Sequence, residues 1–192
     1  MYDAVDDPYT YPDSTVLMNK ADLRDQSELD DFEAEISYAR SMEEIPGGNL
    51  DFEHFKAVHF HLFQDVYEWA GKPRTVRISK DDSPFCFPEN IDSEARKLFK
   101  ALAKANYFVG LTPTEFAKQS AHFLSELNAI HAFREGNGRA QNAFFALLSE
   151  HAGQNLDFDR LDPDAWLAVM IHSFKGDEAP LAAAIEQLIV VE

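Results

Sequence analysis

Hydrophobic residues recur every three to four positions along most of the chain, a spacing that predicts amphipathic helices. A first predicted helix begins at Ser27 and is stopped by IPGG at 45–48. Its apolar stripe consists of Leu29, Phe32, Ile36, Ala39 and Met42. A second predicted helix covers 51–71 and ends at a glycine that Pro73 follows closely. Its stripe consists of Phe55, Val58, Leu62, Val66 and Trp69.

Five later segments show the same helical periodicity. The clearest helix start in the chain is TPTE at 112–115, where Thr112 can cap the helix, Pro113 suits its first turn and Glu115 completes a capping box. The remaining predicted helices cover 93–107, 112–130, 142–153, 162–174 and 179–191. No repeat or linker divides the series, so we expect a single domain over residues 1–192.

The period changes to two between residues 74 and 89. Val76 and Ile78 alternate with polar residues, Lys80, Asp81 and Asp82 supply a turn, and FCF at 85–87 places Phe85 and Phe87 on one face. This pattern predicts a short β-hairpin. The sequence therefore predicts an all-α helical bundle with one short hairpin.

Composition and charge narrow the classes of function. The chain has 192 residues, of which 45% are hydrophobic, and a net charge of −17. Such an acidic chain is ill suited to general binding of nucleic acid or anionic membranes, which rests on Lys and Arg. No apolar run reaches the ~18 residues of a membrane span, and the start of the chain lacks a basic segment followed by an apolar one. We expect a cytoplasmic protein, with export by a specialised secretion machine left open.

The stretch HAFREGNGRAQN at 131–142 lies between two predicted helices and combines several reactive groups. The segment Gly136, Asn137 and Gly138 can expose backbone N–H groups at a helix start, which forms a nest for an anion. Arg139 can fork onto phosphate oxygens, and the carboxylate of Glu135 suits Mg²⁺ bridging the phosphates of a substrate.

His131, on the other side of this loop, can accept a proton from a hydroxyl near neutral pH. The loop therefore predicts a site that binds a Mg²⁺-nucleotide and activates a hydroxyl for attack on phosphorus, the chemistry of a transferase. The simpler interpretations are a surface pair or zinc ligands for His131 and Glu135, and a tight turn for GNG. The glycines argue against the continuous helix that the first two need.

HAFREGNGR resembles the signature of the Fic family, His-x-Phe-x-Asp/Glu-Gly-Asn-Gly-Arg-x-x-Arg. The resemblance extends to DPYTYP at 7–12, YEWAGKPR at 67–74 and SPFCF at 83–87, and so covers nearly the whole chain. It implies a Fic-type helical bundle with a hairpin called the flap, at about 74–89, and a catalytic loop at 131–139. It also implies transfer of AMP from Mg²⁺-ATP to a Ser, Thr or Tyr hydroxyl of a target protein.

The resemblance assigns a role to each matching residue. His131 corresponds to the general base and Glu135 to the Mg²⁺ ligand. The phosphates would be held by Gly136, Asn137, Gly138 and Arg139. The flap would hold a target segment as an added strand. The flap residues that we expect to contact it are Ile78, Ser79, Lys80 and Phe85.

Asn142 stands where the family signature has its second arginine. Losing that arginine removes a charge-assisted contact of roughly 1.5–3 kcal/mol, so we expect Asn142→Arg to strengthen binding of ATP. In the family, that arginine pairs with a glutamate of an inhibitory pattern, Ser/Thr-x-x-x-Glu-Gly/Asn. The 192 residues do not contain this pattern.

Control by a separate, small helical antitoxin is therefore implied for a toxin of this kind, and a secreted effector freed from control is the alternative. By resemblance, targets would be bacterial type II topoisomerases or host GTPases. Two other functions stay open. The same loop could use another nucleotide donor, such as UTP, GTP or a CDP-linked alcohol, or the chain could be a catalytically weakened adaptor that binds partners through the flap.

Overall fold

A computed structural model describes residues 7–80 and 83–190. Within these residues the chain forms seven α-helices and one two-stranded hairpin, which confirms the predicted all-α fold. The helices are α1 Gln26–Ser41, α2 Phe52–Phe63, α3 Ile91–Lys104, α4 Pro113–Ile130, α5 Asn137–His151, α6 Pro163–Phe174 and α7 Ala179–Leu188. None of the described helices is long and apolar enough to cross a membrane.

Helix α4 forms the centre of the bundle. It packs against α3, α5, α6 and α7, while α2 packs against α1 and α5. Its start is the predicted capping box, in which Thr112 accepts from the Glu115 N–H and the Glu115 side chain accepts from the Thr112 N–H. Phenylalanine rings fill the space between α2, α3 and α5, and Phe133, fully buried, joins them from the loop that follows α4.

Helix α1 begins where predicted, with the Asp25 carboxylate capping the N–H groups of Ser27 and Glu28. The predicted apolar stripe of α1 is correct only in part, because Phe32 and Ile36 are half-buried against the core whereas Ala39 and Met42 are exposed. The buried positions are Leu29, Glu33 and Ser37, and Met42 is 71% exposed. Two polar side chains are buried because α5 and the segment after α2 supply hydrogen-bonding partners for them, which no local pattern in α1 reveals.

Helix α2 is shorter than predicted, since it ends at Phe63 and not at Gly71. Residues 64–71 form turns instead. The carbonyl of Val66 accepts a hydrogen bond from the Lys20 N–H at 2.9 Å, and the N–H of Gly71 donates to Nδ1 of His59 at 2.9 Å. Tertiary partners have replaced the helical ones, although Val66 is fully buried as its spacing indicated.

The hairpin lies inside the predicted range but is small. Strand β1, Ser79–Lys80, pairs antiparallel with β2, Ser83–Pro84. The predicted turn residues at 81 and 82 lie outside the described residues. The prediction that Phe85 and Phe87 share a face is wrong, because Phe85 is 6% exposed and Phe87 is 42% exposed. The Cys86 N–H between them donates to the Ala129 carbonyl, so the chain joins α4 here and leaves the hairpin.

Helix α5 begins at Asn137, five positions before the apolar run 142–153 but at the GNG segment where the anion nest predicted a helix start. Gly136 precedes it with φ of +78° and forms its N-cap. The GNG segment is therefore both the end of the loop and the first turn of the helix. This junction places the loop residues at the positive end of the α5 dipole.

Candidate active site

His131 is the C-cap of α4 and adopts a left-handed conformation with φ of 46°. Its ring is 5% exposed and stacks on the ring of Phe85, with centroids 3.9 Å apart. Nδ1 lies 3.2 Å from the carbonyl oxygen of Asn128. Because a carbonyl only accepts, this contact places the ring proton on Nδ1 and makes Nε2 the basic nitrogen.

The charge state of His131 follows from its burial. Desolvation lowers the pKa of His131 from 6.5 to about 3, and the nearby positive charges of Arg74 and Lys80 act in the same direction, while the bond to Asn128 opposes them. The imidazole is therefore neutral at pH 7. A neutral imidazole is the form that can accept a proton.

Arg74 fixes the backbone around His131. Its buried guanidinium donates to the carbonyl oxygens of His131 at 2.8 Å, Val76 at 2.6 Å and Cys86 at 2.6 Å. The first carbonyl belongs to the loop at 131–139 and the other two to the arms of the flap. One side chain therefore joins the flap to the loop, and burial lowers the pKa of Arg74 to about 10, which leaves it charged.

The loop after His131 is stabilised by hydrogen bonds from a side chain of its own, that of Asn137. The Asn137 amide accepts from the Phe133 N–H at 2.9 Å and donates to the Phe133 carbonyl at 2.8 Å, and Asn137 is 2% exposed. Its side chain therefore closes the loop on itself. A second clamp comes from the N-terminal segment, where the Asp7 carboxylate accepts from Arg134 in a buried ion pair at 2.7 Å.

Glu135 is held between the loop and α2. Its Oε1 accepts from the Gly136 N–H at 2.9 Å, and its carbonyl oxygen accepts from Nε2 of His59 at 2.9 Å. Desolvation raises the pKa of Glu135, and the negative charge of Glu33 adds to this, while the bond from Gly136 opposes it. The carboxyl group thus sits where a bound cation would be most favourable.

His59 is a structural residue that joins α2 to the loop and to the segment after α2. Its other ring nitrogen, Nδ1, accepts from the Gly71 N–H at 2.9 Å, so both nitrogens have partners. The ring is fully buried and stacks on Phe133 at 3.7 Å. Desolvation lowers the pKa of His59 to about 3, and the ring is neutral.

Arg139 extends from the first turn of α5 towards α1. Its Nη1 donates to Oγ of Ser37 at 2.9 Å, its Nη2 pairs with the carboxylate of Glu33, and its guanidinium lies 4.8 Å from the centroid of Phe63. Glu33 also accepts from the hydroxyl of Tyr67. The predicted phosphate clamp therefore already has a carboxylate partner. Glu33, Ser37 and Tyr67 were missed by sequence reasoning, because an ion pair between α1 and α5 leaves no local signal.

The two glycines of the loop differ in their surroundings. A Cβ on Gly136 would lie 2.4 Å from the ring of Phe63, so the packing itself requires glycine there. A Cβ on Gly138 would meet no protein atom within 4 Å. The space beside Gly138 is available to a ligand, next to helix N–H groups that lack intrahelical acceptors.

These groups line one cavity of about 520 Å³. Its polar lining includes His131, Glu135, Gly138 and Arg139, and much of its apolar lining comes from α6 residues that sequence reasoning did not assign to the site. The α6 residues are Trp166, Leu167, Met170, Ile171 and Phe174. The volume fits a ligand of nucleotide size.

The flap residues divide into two pairs. Ile78 and Phe85 are buried, and the Phe85 N–H donates to the Ile78 carbonyl at 3.2 Å. Ser79 and Lys80 form β1, and Lys80 lines the cavity beside His131. The structure thus brings the flap and the loop to the same cavity. Asn142 also lines it, and its side chain accepts a hydrogen bond from the indole of Trp166.

Comparisons with known proteins found both a matching family and similar sequences. The sequence profile of the Fic/DOC family matches residues 49–149. A Sinorhizobium fredii protein described as a probable protein adenylyltransferase, y4lH, is 49% identical over 189 residues, covering 98% of each chain. An Escherichia coli K12 protein described as the probable protein adenylyltransferase Fic is 33% identical, over 95% of this chain and 92% of its own.

The fold also matches solved structures. The crystal structure of BepC, a translocated effector protein of Bartonella tribocorum with bound AMPPNP, superposes with a TM-score of 0.85 at 27% identity. The match covers 96% of this chain and 97% of BepC. The likeness thus includes a protein that binds an ATP analogue.

Proposed function

The chain belongs to the Fic/DOC family and is a protein adenylyltransferase of that family, and we propose that it moves AMP from Mg²⁺-ATP to a Ser, Thr or Tyr hydroxyl of a target protein. The observation that carries the proposal is the shared cavity, in which the basic Nε2 of His131 and the start of α5 line one space. A hydroxyl that attacks a phosphate needs a base to take its proton and a site that holds the negative phosphates, and this cavity offers both.

His131 acts on the target hydroxyl. Its Nε2 takes the hydroxyl proton while the hydroxyl oxygen forms a bond to the α-phosphorus and the bond to the leaving pyrophosphate breaks. The Asn128 carbonyl keeps the correct nitrogen unprotonated, since it accepts from Nδ1 at 3.2 Å. Phosphate charge in the same cavity favours the imidazolium that results, which offsets the low pKa of the empty site.

The phosphates lie at the start of α5. Gly138 leaves room for close approach, the helix dipole and first-turn N–H groups favour negative charge, and Arg139 supplies a guanidinium. Asn137 contributes indirectly, because its side chain fixes Phe133. Its backbone belongs to the same turn.

Mg²⁺ would be held by Glu135 together with phosphate oxygens and water. The described residues contain no group of three or more His, Cys, Asp or Glu side chains that could hold a metal ion. A single carboxylate plus substrate phosphates is the donor set that Mg²⁺ commonly uses. The raised pKa of Glu135 fits this role, since a cation would relieve the cost of its buried charge. When bound, the ion neutralises phosphate charge.

The target segment docks along the flap as an added strand. Ser79 and Lys80 offer backbone groups beside the cavity. Ile78 and Phe85 anchor the hairpin to the core, so they support the docking strand from below.

Transfer of label from ATP tests the proposal. ATP labelled at the α- or the γ-phosphate is incubated with a cell lysate, Mg²⁺ and either the chain or its His131→Ala variant. We expect protein bands labelled only from the α position and lost in the variant. His122→Ala is the matched control, because that side chain is 61% exposed and pairs with Glu178 away from the loop. Label from the γ position would contradict the assignment.

We also propose that inhibition of this chain comes from a separate helical antitoxin. The support is the sequence, whose 192 residues lack the inhibitory Ser/Thr-x-x-x-Glu-Gly/Asn pattern. An enzyme without built-in inhibition should harm the cell that makes it. We expect growth arrest when the chain is expressed alone in bacteria and normal growth with His131→Ala. Normal growth with active, soluble enzyme would argue for a target outside the bacterial cell.

A further inference from the structure

Asn142 is hydrogen-bonded to one of the α6 residues that line the cavity. Its Oδ1 accepts a hydrogen bond from Nε1 of Trp166 at 3.1 Å. Trp166 is 7% exposed and lies near the start of α6. Its backbone N–H donates to the carbonyl of Asp162, the N-cap residue of that helix. The bond between the Asn142 and Trp166 side chains therefore links α5 to α6 beside the cavity.

The two walls are held by different neighbours. Helix α6 packs mainly on α4 and α7, whereas α5 packs on α2 and α4. Trp166 reaches α5 through the bond to Asn142 and through its ring, which stacks on Phe145 with centroids 6.4 Å apart. The side chain of Trp166 thus ties α6 to α5 where both helices line the cavity.

We infer that Asn142 is a positioning residue for the nucleotide. By holding the indole of Trp166, it fixes the apolar wall at the distance from Arg139 that suits the nucleoside of ATP, and so it sets the preference among nucleotides. The inference rests on the proposed function, because a nucleotide is its ligand. It gives Asn142 a role that acts through Trp166 and not through the phosphates.

The chemistry of the pair explains why asparagine is suited to this position. An indole N–H needs an acceptor, which the amide oxygen of asparagine provides and a guanidinium cannot. The expectation that Asn142→Arg strengthens ATP binding rests only on the contact that the new arginine would make with the phosphates. In the structure the same substitution also removes the acceptor of a buried donor, which is costly.

A double-mutant cycle tests the inference. Asn142→Leu removes the acceptor with a side chain of the same branched shape, and Trp166→Phe removes the donor while keeping an aromatic ring. Binding of non-hydrolysable ATP and GTP analogues with Mg²⁺ is measured by calorimetry for both single variants, the double variant and the unsubstituted chain. We expect each single variant to bind the ATP analogue about 3- to 10-fold more weakly, the range of one neutral hydrogen bond. The double variant should bind the ATP analogue no more weakly than the single variants do. In all three variants the preference for the ATP analogue over the GTP analogue should fall by about the same 3- to 10-fold factor.

A spectroscopic signal separates positioning from general loss of structure. The chain has two tryptophans, so a ¹H–¹⁵N spectrum contains two indole signals, and Trp166→Phe identifies one of them. We expect this signal to shift in Asn142→Leu while the other stays in place and so reports an intact fold.

Two results would overturn the inference alone: an unchanged Trp166 signal in Asn142→Leu, or losses that multiply in the double variant, which would mean that Asn142 contacts the phosphates independently. Failure of the unsubstituted chain to bind either analogue would overturn the proposed function as well.

Discussion

The ring of Phe85 lies on the ring of His131 with centroids 3.9 Å apart, so a flap residue covers the proposed general base. Burial is the largest cause that lowers the pKa of His131 to about 3. Removing the Phe85 ring should admit water to His131 and raise the pKa of its imidazole towards 6.5. The flap would then have two functions, since it would dock the target and keep the base neutral.

Phe85→Ala tests this coupling. We expect the ring signal of His131, followed by NMR, to stay unprotonated from pH 8 to 5 in the unsubstituted chain and to begin titrating within that range in the variant. Phe87→Ala is the matched control, because Phe87 lies two positions away and is 42% exposed. A His131 that titrates near pH 6.5 with Phe85 in place would refute the explanation.

Stability should fall in mild acid because of two buried histidines. The pKa values of His59 and His131 are lowered from 6.5 to about 3, so below pH 6.5 the unfolded chain binds protons that the folded chain does not. The stabilisation that they give is complete above pH 6.5 and declines as the pH falls towards 3. Each contributes a loss of roughly 1.4 kcal/mol per pH unit in this window.

Urea unfolding at pH 7.5 and 5.5 measures this loss. The raised pKa of Glu135 acts in the opposite direction, because folding then favours the protonated carboxyl group. We expect His59→Gln to be less stable than the unsubstituted chain at both pH values. Its free energy of unfolding should, however, fall less between pH 7.5 and 5.5. An equal loss of unfolding free energy in both proteins would show that groups other than His59 cause the destabilisation in acid.

Alanine at the two loop glycines should have opposite effects. In Gly136→Ala the new methyl group meets Phe63 at 2.4 Å and the positive φ is strained, so we expect a loss of stability of at least about 1–3 kcal/mol. In Gly138→Ala the methyl group meets no protein atom and helix propensity improves. We expect unchanged or higher stability but binding of Mg²⁺-ATP at least tenfold weaker, measured by calorimetry. Unchanged binding would place the phosphates elsewhere.

Arg74→Lys should uncouple the flap from the loop. A lysine keeps the charge but cannot donate in the fork that serves His131, Val76 and Cys86 together. Leaving buried carbonyls unpaired costs about 1–3 kcal/mol each, so we expect a loss of about 2–4 kcal/mol in denaturant unfolding. Arg77→Lys, whose exposed guanidinium pairs with Glu89, should change stability by less than about 0.5 kcal/mol.

Glu33→Gln should strengthen nucleotide binding. The Glu33 carboxylate occupies the guanidinium of Arg139 and adds negative charge beside Glu135. The glutamine keeps an oxygen for Arg139 but removes the charge that competes with phosphate, so we expect Mg²⁺-ATP to bind about 3- to 10-fold more tightly. Tyr67→Phe, which removes a partner of Glu33 but leaves its charge, should give no such gain. Weaker binding in Glu33→Gln would mean that Glu33 serves to position Arg139.

Local patterns in the sequence predicted the helices, the place of the hairpin and the reactive loop. Capping at Thr112, the apolar period of α4 and the positive φ of Gly136 act through neighbours within a few residues, and such effects can be read directly from the chain. The contact that excludes a side chain at Gly136, with Phe63, comes only from the tertiary structure. His131, Glu135 and Arg139 were predicted for the same reason, because the motif that contains them is continuous.

Contacts between distant segments were decided only by the tertiary structure. Glu33 meets Arg139 across 106 positions, Arg74 meets His131 across 57, and Trp166 meets Asn142 across 24. Such contacts also ended α2 at Phe63 and buried polar residues on α1. A hydrogen bond or ion pair stabilises a buried group only when the fold supplies its partner. The sequence therefore determined which groups could react, and packing determined which partners hold them and set their protonation.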